Sequence, residues 1–248
     1  MLKQRIIPVL TFNGISLVKT KKFNNPRIVG NPIQAARVYN NRNVDELIFV
    51  DINASPQKRK INLPLVKKII DECFMPVTIG GGIETFDDIN NLLRIGADKV
   101  LIKSKAFHDP DFISSAVDYF GSQCISISVD TINYNNSYWI YHYEKTMRTL
   151  EEFIDSMIEC QVGELVINAV HNDGMQQGFD CELYNNISSV TNIPLVALGG
   201  AGSPEHFSLL AKSGFNGGLA AASIFHFTQF TPLEIKKRLK NDNIPIRI

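Results

Sequence analysis

Pro76-Val77-Thr78-Ile79-Gly80-Gly81-Gly82 is an apolar run of strand length that ends in three glycines, and Pro194-Leu195-Val196-Ala197-Leu198-Gly199-Gly200-Ala201-Gly202 repeats the pattern further along the chain. Each copy leads into a helix-like stretch, a glycine (Gly96, Gly214), another apolar run, and then a serine shortly before a phenylalanine (Ser104 and Phe107; Ser223 and Phe225). The offset is roughly 120 residues, about half the chain, so the repeat reads as two halves of four strands each.

Outward from these two copies, short apolar runs recur at Arg5–Leu10, Leu47–Asp51, Pro76–Ile79, Lys99–Ile102, Cys124–Asp130, Glu164–Asn168, Pro194–Leu198 and Gly218–Ala221. Near-continuous apolar character over so few residues suits strands buried on both faces, as in a parallel sheet. Amphipathic stretches lie between them, among them Pro32–Arg42, Leu63–Cys73, Phe86–Arg94, Asp111–Tyr119, Leu150–Cys160, Glu205–Lys212 and Pro232–Lys240. Several open near Pro and close near Gly, as helices do. Eight runs with interleaved helices in 248 residues give a (β/α)8 barrel with a half-barrel internal repeat, one domain over 1–248. Tyr134–Tyr143 reads as a surface hairpin after the fifth run. Gly14 to Gly30 reads as a long first loop, its Lys19 either reaching a bound anion or solvated.

Lys plus Arg and Asp plus Glu both total 25, so no global field draws the chain to nucleic acid or membrane. Any anion site must be local. Cys73, Cys124, Cys160 and Cys181 show no metal-binding spacing and read as reduced thiols. No metal and no cofactor are expected. The first residues carry charge where a signal peptide needs an apolar run, and no stretch approaches membrane-spanning length, so a cytoplasmic location is expected.

A glycine turn between a strand and a helix brings backbone N–H groups close to a phosphate. Gly81 and Gly82 with Lys103 and Ser104 make one candidate anion site, and Gly200 and Gly202 with Ala222 and Ser223 a second. Two sites across one barrel mouth imply a ligand with a phosphate or similar anion at each end. Acidic residues stand where barrel chemistry lives, at strand ends: Asp51, Asp130, and Asp173 in the Asn172-Asp173-Gly174 turn. Each can move a proton or hold a hydroxyl, or serve merely as a turn residue.

These residues together resemble the HisF family, the cyclase subunits of imidazole glycerol phosphate synthase, which are ribulose-phosphate-binding barrels. The likeness covers almost the whole chain: Arg5-Ile6-Ile7-Pro8, Asp45-Glu46-Leu47 running to Asp51-Ile52, Lys58-Arg59-Lys60, Gly80-Gly81-Gly82, Gly96-Ala97-Asp98-Lys99-Val100, Gly121-Ser122-Gln123, Asp173-Gly174, Gly199-Gly200-Ala201-Gly202 and Phe225-His226-Phe227. The resemblance implies a heterodimer with a HisH-like glutaminase on the bottom of the barrel, a small phosphorylated substrate, and no nucleic acid or membrane partner. It also implies an ammonia gate at Arg5, Glu46, Lys99 and Glu164, each at the N-terminal edge of a run; a purely structural ring of salt bridges is the alternative.

The chain departs from the family where the chemistry is done. The family's cyclases use two aspartates, and Asp130 matches one of them. Thr11 stands at the other, and the repeat pairs Thr11 with Asp130 independently. A threonine hydroxyl is no proton acceptor near neutral pH, and losing such a group costs about 10² to 10⁴ in rate. Lys103 and Asn168 replace the family's usual pocket residues. A divergent HisF-like branch shows the same loss and shares Lys19-Thr20, Phe23, Pro26, Gly30-Asn31-Pro32 and Val44-Asp45-Glu46-Leu47. Its members accompany surface-polysaccharide genes, which implies delivery of ammonia for converting an acetamido to an acetamidino group on a sugar or sugar nucleotide. Both readings share a barrel fed with ammonia; a phosphate-binding barrel without a partner is a third.

Overall fold

The computed structural model describes residues 3–142 and 148–247. In chain order its strands are β1 (Arg5–Phe12), β2 (Leu17–Lys21), β3 (Asn24–Gly30), β4 (Leu47–Asp51), β5 (Val77–Gly80), β6 (Lys99–Ile102), β7 (Ile125–Tyr134), β8 (Ser137–Ile140), β9 (Glu164–Ala169), β10 (Leu195–Leu198) and β11 (Gly218–Ala221). Every apolar run becomes a strand of one barrel: β1, β4, β5, β6, β7, β9, β10 and β11 pair in parallel in that order. β11 then returns to β1, with Arg5 opposite Gly218, and closes the sheet.

Alternation along each strand sorts the apolar side chains into two cores. Phe49, Ile127 and Leu165 point outward and pack with helix residues such as Val66, Phe153 and Phe207. Ile7, Val9, Ile48, Leu101, Val166, Val196 and Ala220 point inward and fill the barrel. The surrounding helices start where the chemistry of their first turns dictates. Thr85 with Asp88, Thr149 with Glu152 and Thr231 with Glu234 form reciprocal capping boxes, each cap contributing about 1 kcal/mol. Short helices Ser104–His108 and Ser223–Phe227 follow β6 and β11, so the half-barrel repeat extends to them. The helix Cys181–Val190, absent from the apolar-period reading, is capped by Asp180. No helix among the described residues is long and apolar enough to cross a membrane.

Two hairpins rise from the C-terminal end of the barrel. The predicted one is present: β7 overruns the barrel and turns at Asn135 and Asn136, both at positive φ, into β8. Tyr143, the last residue of that prediction, lies outside the described residues. The other hairpin corrects the sequence reading, because the stretch from Gly14 to Gly30 is not a loop. β2 and β3 pair antiparallel across a two-residue turn at Lys22 and Phe23, whose φ values are 46° and 63°. Tertiary contacts hold it against the barrel mouth: Lys22 N–H donates to the Asp173 carbonyl at 2.9 Å, and Phe23 packs edge-on to Tyr141.

Candidate functional site

At the C-terminal ends of the strands a cavity of about 410 Å³ opens. Thr11, Lys19, Asp51, Gly81, Gly82, Lys103, Ser104, Asp130, Asn168, Asp173 and Ala222, all singled out from sequence, line it. Gly174, Gly200 and Ser223 line a much smaller adjoining hollow that shares Lys19, Asp173 and Ala222 with the first. The two glycine turns thus face two neighbouring hollows rather than one. A Cβ at Gly81 would lie 2.5 Å from the Asp51 carbonyl oxygen, and one at Gly200 would lie 1.9 Å from that of Gly178, so both turns need glycine. Gly202 lines neither hollow. It packs on Gln176, and its N–H donates to His206 Nδ1 at 3.1 Å.

The three rim carboxylates are each matched by a cation. Asp51 receives a two-pronged hydrogen bond from Arg59, at 2.7 and 2.8 Å. Asp173 holds the Lys19 ammonium through both oxygens, at 2.6 and 2.7 Å, and both side chains are buried. A solvated Lys19 is therefore excluded. Burial lifts the Asp173 pKa above its ordinary value against the opposing Lys19 charge, and the Asp130 charge adds to the rise. Asp130 Oδ2 accepts from Lys103 Nζ, and its Oδ1 accepts from Asn168 Nδ2 at 2.9 Å. Lys103 thus turns inward to a carboxylate rather than out to solvent.

Thr11 is also committed. Its hydroxyl donates to the Val18 carbonyl, tying β1 to the hairpin that follows it. Across this site, neither half of the expected acid–base couple is free: one position is a hydroxyl spent on backbone, the other a carboxylate with both oxygens engaged. Asn168 Oδ1, by contrast, is buried with no hydrogen-bond partner among the described residues.

The opposite end of the barrel carries a closed ring of charge. Arg5 bonds Glu46 at 2.6 Å and Glu164 at 2.9 Å, while Lys99 reaches Glu46 at 3.4 Å and Glu164 at 3.1 Å. Burial opposes the charge on Arg5, yet the two glutamates hold its pKa above the ordinary value. The register explains how four side chains meet. Glu46, Lys99 and Glu164 enter the same inward layer, whose fourth place belongs to Gly218. With no side chain there, Arg5 can lean across, its guanidinium 3.2 Å from where a Cβ of Gly218 would stand. Directly above the ring sit buried Thr78 and Ser126, the latter donating to Glu164 at 3.5 Å, and then the apolar inner core.

Some lining residues escaped the sequence reading. Ser128 is one, although period-two alternation from Asp130 would have found it. Arg59, quoted only within Lys58-Arg59-Lys60, stands just outside the lining and is the partner of Asp51. Tyr141 closes the cavity wall beside Phe23 and carries no local signal of that role.

Comparison with known proteins agrees along the whole chain. Residues 5–231 match the family model described as histidine biosynthesis protein. The chain is 38% identical over its full length to 99% of an imidazole glycerol phosphate synthase subunit HisF from Dehalococcoides mccartyi. It is 40% identical, each chain covered completely, to the subunit of that name from Staphylococcus saprophyticus. It is also 40% identical over its full length to 92% of a protein named putative imidazole glycerol phosphate synthase subunit hisF2 from Vibrio vulnificus.

Proposed function

Because the chain belongs to the histidine biosynthesis protein family and is HisF-like by homology, we propose that it takes ammonia from a HisH-like glutaminase at the bottom of the barrel and delivers it to a phosphate-bearing substrate at the rim. The observation that carries this reading is coaxial: the closed ring of Arg5, Glu46, Lys99 and Glu164 caps one end of the barrel bore and the cavity caps the other. Four alternating charges that satisfy one another leave no net charge to trap ammonium. A small neutral molecule passes when one pair swings aside, while ions meet a plug. Above it, Thr78 and Ser126 offer hydrogen bonds to ammonia before the apolar stretch.

By family the substrate is phosphoribulosyl-formimino-AICAR phosphate, cleaved and closed to imidazole glycerol phosphate and AICAR in histidine biosynthesis, in the cytoplasm. Asp130 would act as the acid, with Thr11 in the other position. The two glycine turns and Ser104 and Ser223 supply donors for the phosphates, and Lys19, Asp51 and Asp173 frame the substrate between them.

The engagement of Thr11 and Asp130 favours a second reading, in which the barrel conducts ammonia for a partner that converts an acetamido group on a surface-polysaccharide sugar into an acetamidino group. The experiment that separates the two supplies ammonium salt and the bis-phosphate substrate to the purified chain. Turnover clearly above that of Asp130→Asn establishes the cyclase. Turnover equal to that variant, together with stimulation of a HisH-like glutaminase on mixing, leaves the conduit. No complex with such a glutaminase at micromolar concentration removes both.

A further inference from the structure

We propose that Lys103 is a cation shared between the protein and its ligand. It pairs with Asp130; an anionic ligand seated against the Gly81-Gly82 turn takes it over, and Asp130 becomes an unpaired carboxylate at the head of the barrel bore. The exchange makes and breaks hydrogen bonds only.

Register places the lysine between its two partners. Gly80 pairs with Leu101, so the glycine turn that follows lies beside the backbone of Lys103. Ile102 pairs with Ile127, so Asp130 stands across the next strand, within reach of Lys103 Nζ. The pair is also unequal in mobility. The Lys103 side chain is 35% exposed and that of Asp130 8%, and Asp130 keeps its hydrogen bond from Asn168 when the lysine leaves. A long flexible stem lets the ammonium, rather than the carboxylate, move.

Among the described residues no other lining cation can take this part. Lys19 is buried and held by both oxygens of Asp173. Arg59, just outside the cavity wall, is engaged in the two-pronged bond to Asp51. A separate observation indicates that the cavity is built for a ligand at this depth. Asn168 is 6% exposed, lines the cavity, and leaves Oδ1 without a donor. A buried acceptor left unpaired is costly, and a ligand N–H or O–H relieves it.

The consequence, which rests on the ammonia-delivery reading above, is a coupling of occupancy to chemistry. Ammonia arriving through the bore meets a free carboxylate only when an anion is seated.

The test uses inorganic phosphate and the full chain without a glutaminase, by calorimetric titration of the wild type, Lys103→Met, Asp130→Asn and the double variant. Lys103→Met is expected to weaken binding about tenfold or more. Asp130→Asn is expected to strengthen binding by roughly three- to tenfold while Lys103 is present, and far less on the Lys103→Met background. An equal gain on both backgrounds would be a field effect of the lost charge and overturns the proposal, as does unchanged binding in Lys103→Met. In case a variant does not fold, the ¹³Cγ resonance of Asp130 in the wild type is followed through the titration. It shifts if the lysine departs; phosphate binding without that shift overturns the exchange, and so does no phosphate binding at all. Because no glutaminase is present, failure here is distinct from failure to form the ammonia-feeding complex.

Discussion

The two ends of the barrel neutralise their charges by different designs. At the bottom, two cations and two carboxylates share partners in one ring, so each charge has two contacts. At the rim, Asp51, Asp130 and Asp173 each pair with one cation, from a different loop or hairpin in two of the three cases. A shared ring resists the loss of one contact and keeps its shape. Separate pairs can be opened one at a time, which is what a ligand-binding mouth needs. The difference teaches that identical charge chemistry can serve as a plug or as a set of exchangeable contacts, depending on how the partners are connected.

Breaking the ring gives the largest expected effect. Lys99→Glu sets three carboxylates against one arginine in a mostly buried layer, and is expected to lower unfolding free energy by about 3–5 kcal/mol in urea melts. A loss under about 1 kcal/mol would mean the ring behaves like exposed surface pairs, and the contrast between the two ends would fail. At the rim, Lys19→Met leaves a buried Asp173 without its cation and is expected to cost about 2–4 kcal/mol at pH 7. That cost is pH-dependent in a defined direction. The folded-state pKa of Asp173 is raised, so its ionised form is the unfavourable one in the fold. Proton uptake relieves the charge, and the penalty of Lys19→Met shrinks as pH falls toward the raised pKa. A penalty that grows on acidification would contradict the assignment.

A third test sharpens the comparison without touching an ion pair. Burial depresses the His226 pKa to about 4, with a backbone hydrogen bond to Val9 opposing and the Lys19 charge assisting. The unfolded chain therefore takes up this proton first. Stability from the neutral His226 is full above pH 6.5 and is lost as pH falls toward 4, by roughly 2–3 kcal/mol. His226→Phe should flatten the stability profile over that window; an unchanged slope would assign the acid sensitivity elsewhere. The smallest effect is expected for Thr11→Val, about 1 kcal/mol from the lost hydrogen bond to the Val18 carbonyl. Thr11→Asp should raise cyclase turnover when a seated anion draws Lys103 away from Asp130. Unchanged turnover would mean that Lys103 stays on Asp130 and obstructs the acid–base couple.

Those interactions also mark how far the sequence could be read. The eight barrel strands were legible because both faces of a parallel strand are buried, which leaves an unbroken apolar run such as Leu47–Asp51. The hairpin of β2 and β3 was not, since Lys19, Lys21 and Lys22 interrupt any alternation and its Lys22-Phe23 turn lacks the usual Asn-Gly or Asp-Gly signal. Its order comes from distant contacts, chiefly with Asp173, which lies 154 residues away from Lys19. The same limit applies at the site. Motif and repeat located Thr11, Lys103 and Asp130, but nothing local told that the second would neutralise the third, or that Thr11 would spend its hydroxyl on Val18.

Gly218 gives the ring a broken symmetry. Under the half-barrel repeat Glu46 has its twin in Glu164, whereas the twin of Lys99 is Gly218. The missing positive charge is supplied by the Arg5 guanidinium, borrowed from the adjacent strand, so duplicate halves still present alternating signs around the axis. A lysine at 218 would crowd the arginine and set three cations against two carboxylates, turning a balanced plug into a cationic one and making a single small residue the arbiter of what charge the bore admits.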